Sequence, residues 1–163
     1  MAGVRKHGAH RQNLTLASAA AGAAADAQDL LPYDAFLVGT QDASQEAIYE
    51  MYLAFNAALT GQATNFAAFS VQQARAGAVL NDIRLIFNAA GVTVAALTNA
   101  NLAVAAGAVV PNVGTGVLTV QTGAALPWIL LPSDIIIFQR VSTGTGQATP
   151  AVGLTFGIQA RGA

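Results

Sequence analysis

The sequence contains no cysteine, which removes disulfides, zinc–thiolate centres and thiol nucleophiles from the chemistry open to it. Histidine is almost as scarce, with His7 and His10 close to the N-terminus and none beyond. Downstream of residue 10 no side chain has an unperturbed pKa near 7. The body of the chain therefore cannot assemble a His–acid–nucleophile set. Charge is sparse too. Asp, Glu, Lys and Arg make up 9% of the 163 residues, against roughly 25% in ordinary soluble domains. Long apolar runs are also missing. The richest stretch, Trp128 to Phe138, is interrupted by Pro132, Ser133 and Asp134. A membrane-spanning helix needs about 18 or more consecutive apolar residues, so no membrane partner is expected.

Hydrophobic residues make up 54% of the chain, but 37 of them are alanine. Leu, Ile, Val and Phe still suffice for the core of one domain. A surface with so few charges suits a protein largely covered by neighbours, and a homo-oligomer is expected. The net charge of −1 is unevenly spread. Residues 1–13 hold Arg5, Lys6 and Arg11 and no acid, while the remainder holds four basic and eight acidic side chains. This is a small basic arm on a mildly acidic body. Phosphate-driven affinity grows with the number of phosphates neutralised. Three arm cations and a body with only Arg75, Arg84, Arg140 and Arg161 do not point to nucleic acid. Residues 5–25 have the outline of a signal peptide, but the apolar part is mostly alanine with Ser18 and Gly22, so it is not read as one.

The chain divides into an N-terminal arm, residues 1–28, and a single domain, residues 29–163. Residues 1–13 read as irregular, and 14–28 as either a short helix or an extended docking strand, since alanine favours helix while Gly22 limits it. Pro32 marks a turn before a short strand at Tyr33–Val38. From Gln45 the pattern has period two, with Ala47, Tyr49, Met51, Leu53 and Phe55 on one face and Ile48, Glu50, Tyr52 and Asn56 on the other. A helix over Ser44–Leu59, capped by Ser44, is the rival reading. Strand-like segments follow at 65–72, 82–88, 92–97, 117–122, 128–131 and 135–141. In 82–88, Ile83, Leu85 and Phe87 face inward. The last segment alternates most regularly, with Val152, Leu154, Phe156, Ile158 and Ala160 on one side. Short strands separated by turn residues predict an all-β protein, an antiparallel β-sandwich with an extended, partly irregular N-terminal arm.

Groups that could carry chemistry are isolated. His7 and His10 would share one face of a helix, but no third metal ligand accompanies them. Glu46 and Glu50 read as solvated surface, and Asp134 as a residue that starts a strand through a local turn. Gly144-Thr145-Gly146 lacks the Gly-Lys-Ser/Thr ending of a phosphate loop and reads as a hairpin connection. Trp128, flanked by Pro127, Ile129 and Leu130, reads as core or subunit contact. No catalytic, cofactor-binding or metal-binding residues are expected, and the protein is read as a non-enzyme.

Three segments carry a resemblance. They are Leu131-Pro132-Ser133-Asp134-Ile135-Ile136-Ile137, then Ser142-Thr143-Gly144-Thr145-Gly146 with Thr149-Pro150, and the closing Leu154-Thr155-Phe156-Gly157-Ile158-Gln159. Together they resemble the ending of small jelly-roll-like β-sandwich domains in head decoration (cement) and fibre proteins of tailed bacteriophages. Ser133 stands where glycine is frequent in that pattern. The resemblance spans about residues 47–161, with its motifs in 126–160. It implies a structural virion protein on the capsid surface that binds the major capsid protein and stabilises the assembled head. It also implies a trimer and no cofactor, and suggests a capsid contact through Arg5, Lys6 and Arg11. The alternatives are a fibre or receptor-binding domain for glycans, and a small jelly-roll coat protein.

Overall fold

The computed structural model describes residues 10–21, 34–38, 45–88, 93–94, 102–104, 116–131 and 134–161. Twelve β-strands run through them, and no helix occurs among the described residues. One sheet has the order β1 (His10–Leu16), β12 (Val152–Arg161), β3 (Gln45–Phe55), β10 (Trp128–Leu130), with β8 (Leu102–Val104) also on β3. The second has the order β2 (Asp34–Val38), β11 (Asp134–Ser142), β5 (Ala67–Arg75), β6 (Ala78–Phe87), β9 (Gly116–Thr122). β4 (Leu59–Thr60) and β7 (Thr93–Val94) form a separate pair.

The pairing is nested. β5 and β6 form a hairpin, and β3 pairs with β10, β2 with β11 and β1 with β12, all antiparallel. Rolling up such a ribbon brings β12 beside β3 and β11 beside β5. That arrangement is a jelly roll, so the all-β, antiparallel sandwich expected from alternation is the fold. The tip of the ribbon is a two-residue turn at Ala76 (φ 49°) and Gly77 (φ 82°). Positive φ at both positions is the type I′ geometry whose twist matches the flanking strands.

Strand alternation explains the core. Val152, Leu154, Phe156 and Ile158 on β12 are buried, as are Ile83, Leu85 and Phe87 on β6. Phe55 meets Phe69 and Phe87 edge-on, with ring centroids 5.3 and 5.4 Å apart, a favourable quadrupole geometry. Trp128 is a core residue, and its indole N–H donates to the Ala124 carbonyl at 2.8 Å.

Three expectations are corrected. Tyr49 does not share a face with Met51, Leu53 and Phe55. Gly157 pairs with Glu50 and Ile158 with Ile48, so Tyr49 is the extra residue of a β-bulge. The bulge resets the alternation and turns Ile48 into the core. The Thr143–Gly146 connection is not a hairpin either. β11 and β12 lie in different sheets, and the connection crosses between them. It is held by the Thr143 amide donating to Phe66 and by Asn65 Oδ1 accepting from the Thr145 amide. Finally, residues 10–13 are not irregular. They belong to β1, and Leu16 at its end is 1% exposed in the core.

Candidate functional site

Arg11 is the one arm cation among the described residues; Arg5 and Lys6 lie outside them, as does His7. β1 places Arg11 on the outer face of the first sheet, where its guanidinium is 3.2 Å from Glu50 and 5.9 Å from the centre of the Tyr52 ring. The contact crosses over Gly157, which pairs with both Arg11 and Glu50. A Cβ at Gly157 would sit 2.7 Å from Glu50 Cγ, so the glycine opens the path between the two side chains. Tyr52 donates to Glu50 at 2.6 Å. That bond to a carboxylate, aided by burial, raises the phenol above its ordinary range. Glu50 is thus a hydrogen-bonded ion-pair partner.

The outer face of the second sheet is different in kind. Ile135, Ile137, Gln139 and Val141 are the alternate residues of β11 pointing away from the core, and they are partly exposed. Beside them Ser70, 0% exposed, donates to Asp82 Oδ1 at 2.7 Å, and Gln72 and Arg84 donate to Asp82 Oδ2 at 3.1 and 2.8 Å. This face combines the aliphatic Ile135, Ile137 and Val141 with Gln139 and with a charge pair that is already satisfied.

A groove of about 370 Å³, lined by Gln73, Arg75 and Asn81 on a largely apolar wall, opens at the end of the sandwich marked by the β5–β6 turn. Asp134, 0% exposed, is its anchor. Arg75 grips both carboxylate oxygens through Nε and Nη2. Gln73 Nε2 donates to Asp134 Oδ2 and to the Ile129 carbonyl, each at 2.7 Å, and the Leu131 amide donates to Oδ2 at 2.9 Å. Burial alone would raise the Asp134 pKa, but the Arg75, Leu131 and Gln73 hydrogen bonds and the Arg75 charge together hold it below the ordinary value. Asn81 extends the network, donating to Gln73 Oε1 at 2.7 Å and accepting from the Ala124 amide at 2.8 Å. Gly123 makes this fit possible. Its φ is +75°, and a Cβ there would lie 2.2 Å from the Leu80 carbonyl. Leu80 is itself the bulged residue where Gln73 pairs with Asn81 and Ala74 with Val79.

Sequence reasoning found the local half of this site. Asp134 does close a turn with Leu131, whose carbonyl accepts from the Asp134 amide at 3.0 Å. It missed the pairing with Arg75, 59 residues away, because no spacing rule connects β5 to β11. It named Arg140 only as one of the four cations of the body. Arg140 is 2% exposed, on the core face of β11. Its Nη2 donates to the Ala17 carbonyl at 2.8 Å, it lies 5.8 Å from the Phe69 ring centre, and its Nε has no partner. Desolvation pulls its pKa down to about 10, so it is still a cation at neutral pH, buried with no carboxylate partner among the described residues. Exchanging such a group for an apolar side chain of similar length is often neutral or stabilising. Arg140→Met is therefore expected to raise the unfolding free energy by about 1 kcal/mol, read by urea denaturation.

Among the described residues no three His, Asp or Glu side chains are grouped to hold a metal. The class of protein that the fold defines is a jelly-roll-like β-sandwich with aliphatic residues on one outer face and a groove at one end. Searched against protein-family models, curated proteins and solved structures, the chain has no match.

Proposed function

We propose that this protein is a structural virion component, a decoration or cement protein that binds the major capsid protein and stabilises the assembled head of a tailed phage, acting as a trimer. The observation that supports it is the outer face of β11. Ile135, Ile137 and Val141 point away from the core, although a sandwich needs apolar residues on its inner faces alone. A face with three aliphatic residues on β11, whose charges among the described residues are the Asp82–Arg84 pair, 2.8 Å apart, is suited to contact with another protein. A cement protein works by mass action, binding the assembled shell in preference to free subunits. Arg5 and Lys6 add electrostatic help toward an acidic subunit.

Shells lacking the protein should assemble, yet break at lower temperature. Added back, the protein should saturate at a fixed ratio to the capsid subunit. Ile137→Lys should abolish that binding while the fold persists. Deleting residues 1–9 should weaken it by about 1–2 kcal/mol, taking exposed charge contacts at up to about 1 kcal/mol each, and should flatten its salt dependence. Shells of equal stability with and without the protein would refute the role.

A further inference from the structure

The groove beside Asp134 has donors left over. Arg75 commits Nε and Nη2 to Asp134, so Nη1 has no partner among the described residues, and its side chain is 37% exposed. Asn81 Nδ2 gives one hydrogen to Gln73 and keeps a second. The opposite wall is apolar, formed by Leu80, Ala124, Pro127 and Leu131. The framework beneath is rigid, because Gln73 and Asp134 are buried and both of their polar ends are engaged.

These features select the ligand. Asp134 already neutralises Arg75, so an anion would meet a compensated guanidinium with a carboxylate behind it, and a cation would meet the guanidinium itself. A purely aliphatic anchor would bury the Arg75 and Asn81 donors without acceptors, which costs the desolvation of each. The complement is an uncharged group with oxygen acceptors on one edge and C–H surface on the other, in a volume typical of the smaller ligand sites. We propose that this groove is a binding site for a neutral pyranose sugar, with hydroxyl oxygens on Arg75 and Asn81 and the ring's C–H face against Leu80 and Pro127. The site is independent of the aliphatic face and of the capsid role.

The test is a titration of the full isotope-labelled chain with neutral methyl pyranosides, followed by amide and indole resonances, with glucuronate as the charged comparison. Saturable shifts at millimolar sugar should fall on the Asn81 side-chain amide, the Ala124 amide and the Trp128 indole. Ala124→Leu narrows the groove from the apolar wall without removing a member of the network. It should weaken binding by about tenfold or more while the melting temperature stays near that of the parent. No saturable shift with any neutral pyranoside, undiminished binding in Ala124→Leu, or tighter binding of glucuronate would each overturn the proposal.

Discussion

Asp134→Ala is expected to lower the unfolding free energy by about 2–3 kcal/mol, because it strands buried donors while Arg75, 37% exposed, can turn to water. Removing the carboxylate leaves Gln73 Nε2 with one acceptor of its two, and the Leu131 amide with none from this side chain. Buried donors without partners lose hydration and receive nothing in exchange. The effect depends on pH in a defined direction. The folded pKa of Asp134 lies below its ordinary value. Its contribution is therefore fully present above the unfolded carboxylate value of about 3.9, and is lost as pH falls through the folded value. Urea denaturation at neutral pH and again in acid checks both parts. The gap between parent and variant should close as pH drops. A loss below about 1 kcal/mol at neutral pH would mean that the network is not structural.

Phe69→Ala is expected to cost about 3–5 kcal/mol, the range for deleting a buried aromatic side chain. Phe69 is fully buried, and its ring stands 5.3 Å from Phe55, 6.0 Å from Phe87 and 6.5 Å from Phe138. No other aromatic residue with described ring contacts touches as many rings, so the cavity would open where the two sheets join. The same ring covers Arg140. A cycle combining Phe69→Ala with Arg140→Met should show a coupling of about 0.5–2 kcal/mol, because the ring matters less once the cation is gone. Thermal and urea melts of the four proteins measure it. Strict additivity would remove the guanidinium–ring contact from the account.

Fold class was legible because period two is strong where both strand neighbours are apolar, as in Val152–Ile158 and Ile83–Phe87. It was less legible at Tyr49, where one inserted residue shifts the phase and pattern reading carries no term for a bulge. The sheet assignment of β11 and β12 was invisible, since a Gly- and Thr-rich connection looks alike whether it closes a hairpin or crosses between sheets. The arm was misread at residues 10–13 because His10, Arg11, Gln12 and Asn13 are polar. β1 is an edge strand held mainly by backbone pairing with β12, and polar outward residues suit an edge. The groove stayed hidden for another reason. Arg75, Asn81 and Asp134 become neighbours through pairing between strands, and each alone looks like an ordinary surface residue.

The nested pairing also has a temporal consequence. Asn13 and Thr155, bonded to each other at 2.6 Å, are separated by 142 residues of chain. Among the described strands of the ribbon the β5–β6 hairpin joins near neighbours, and each outer layer closes a longer loop than the one inside it. Loop entropy must be overcome before such contacts return any stability, so assembly should proceed from the hairpin outward, at the slow rates of all-β topologies. During synthesis β1 emerges early and waits with its backbone unpaired until β12 has left the ribosome. The low aliphatic content of His10-Arg11-Gln12-Asn13 then has a second use: it keeps the waiting strand from finding the wrong partner.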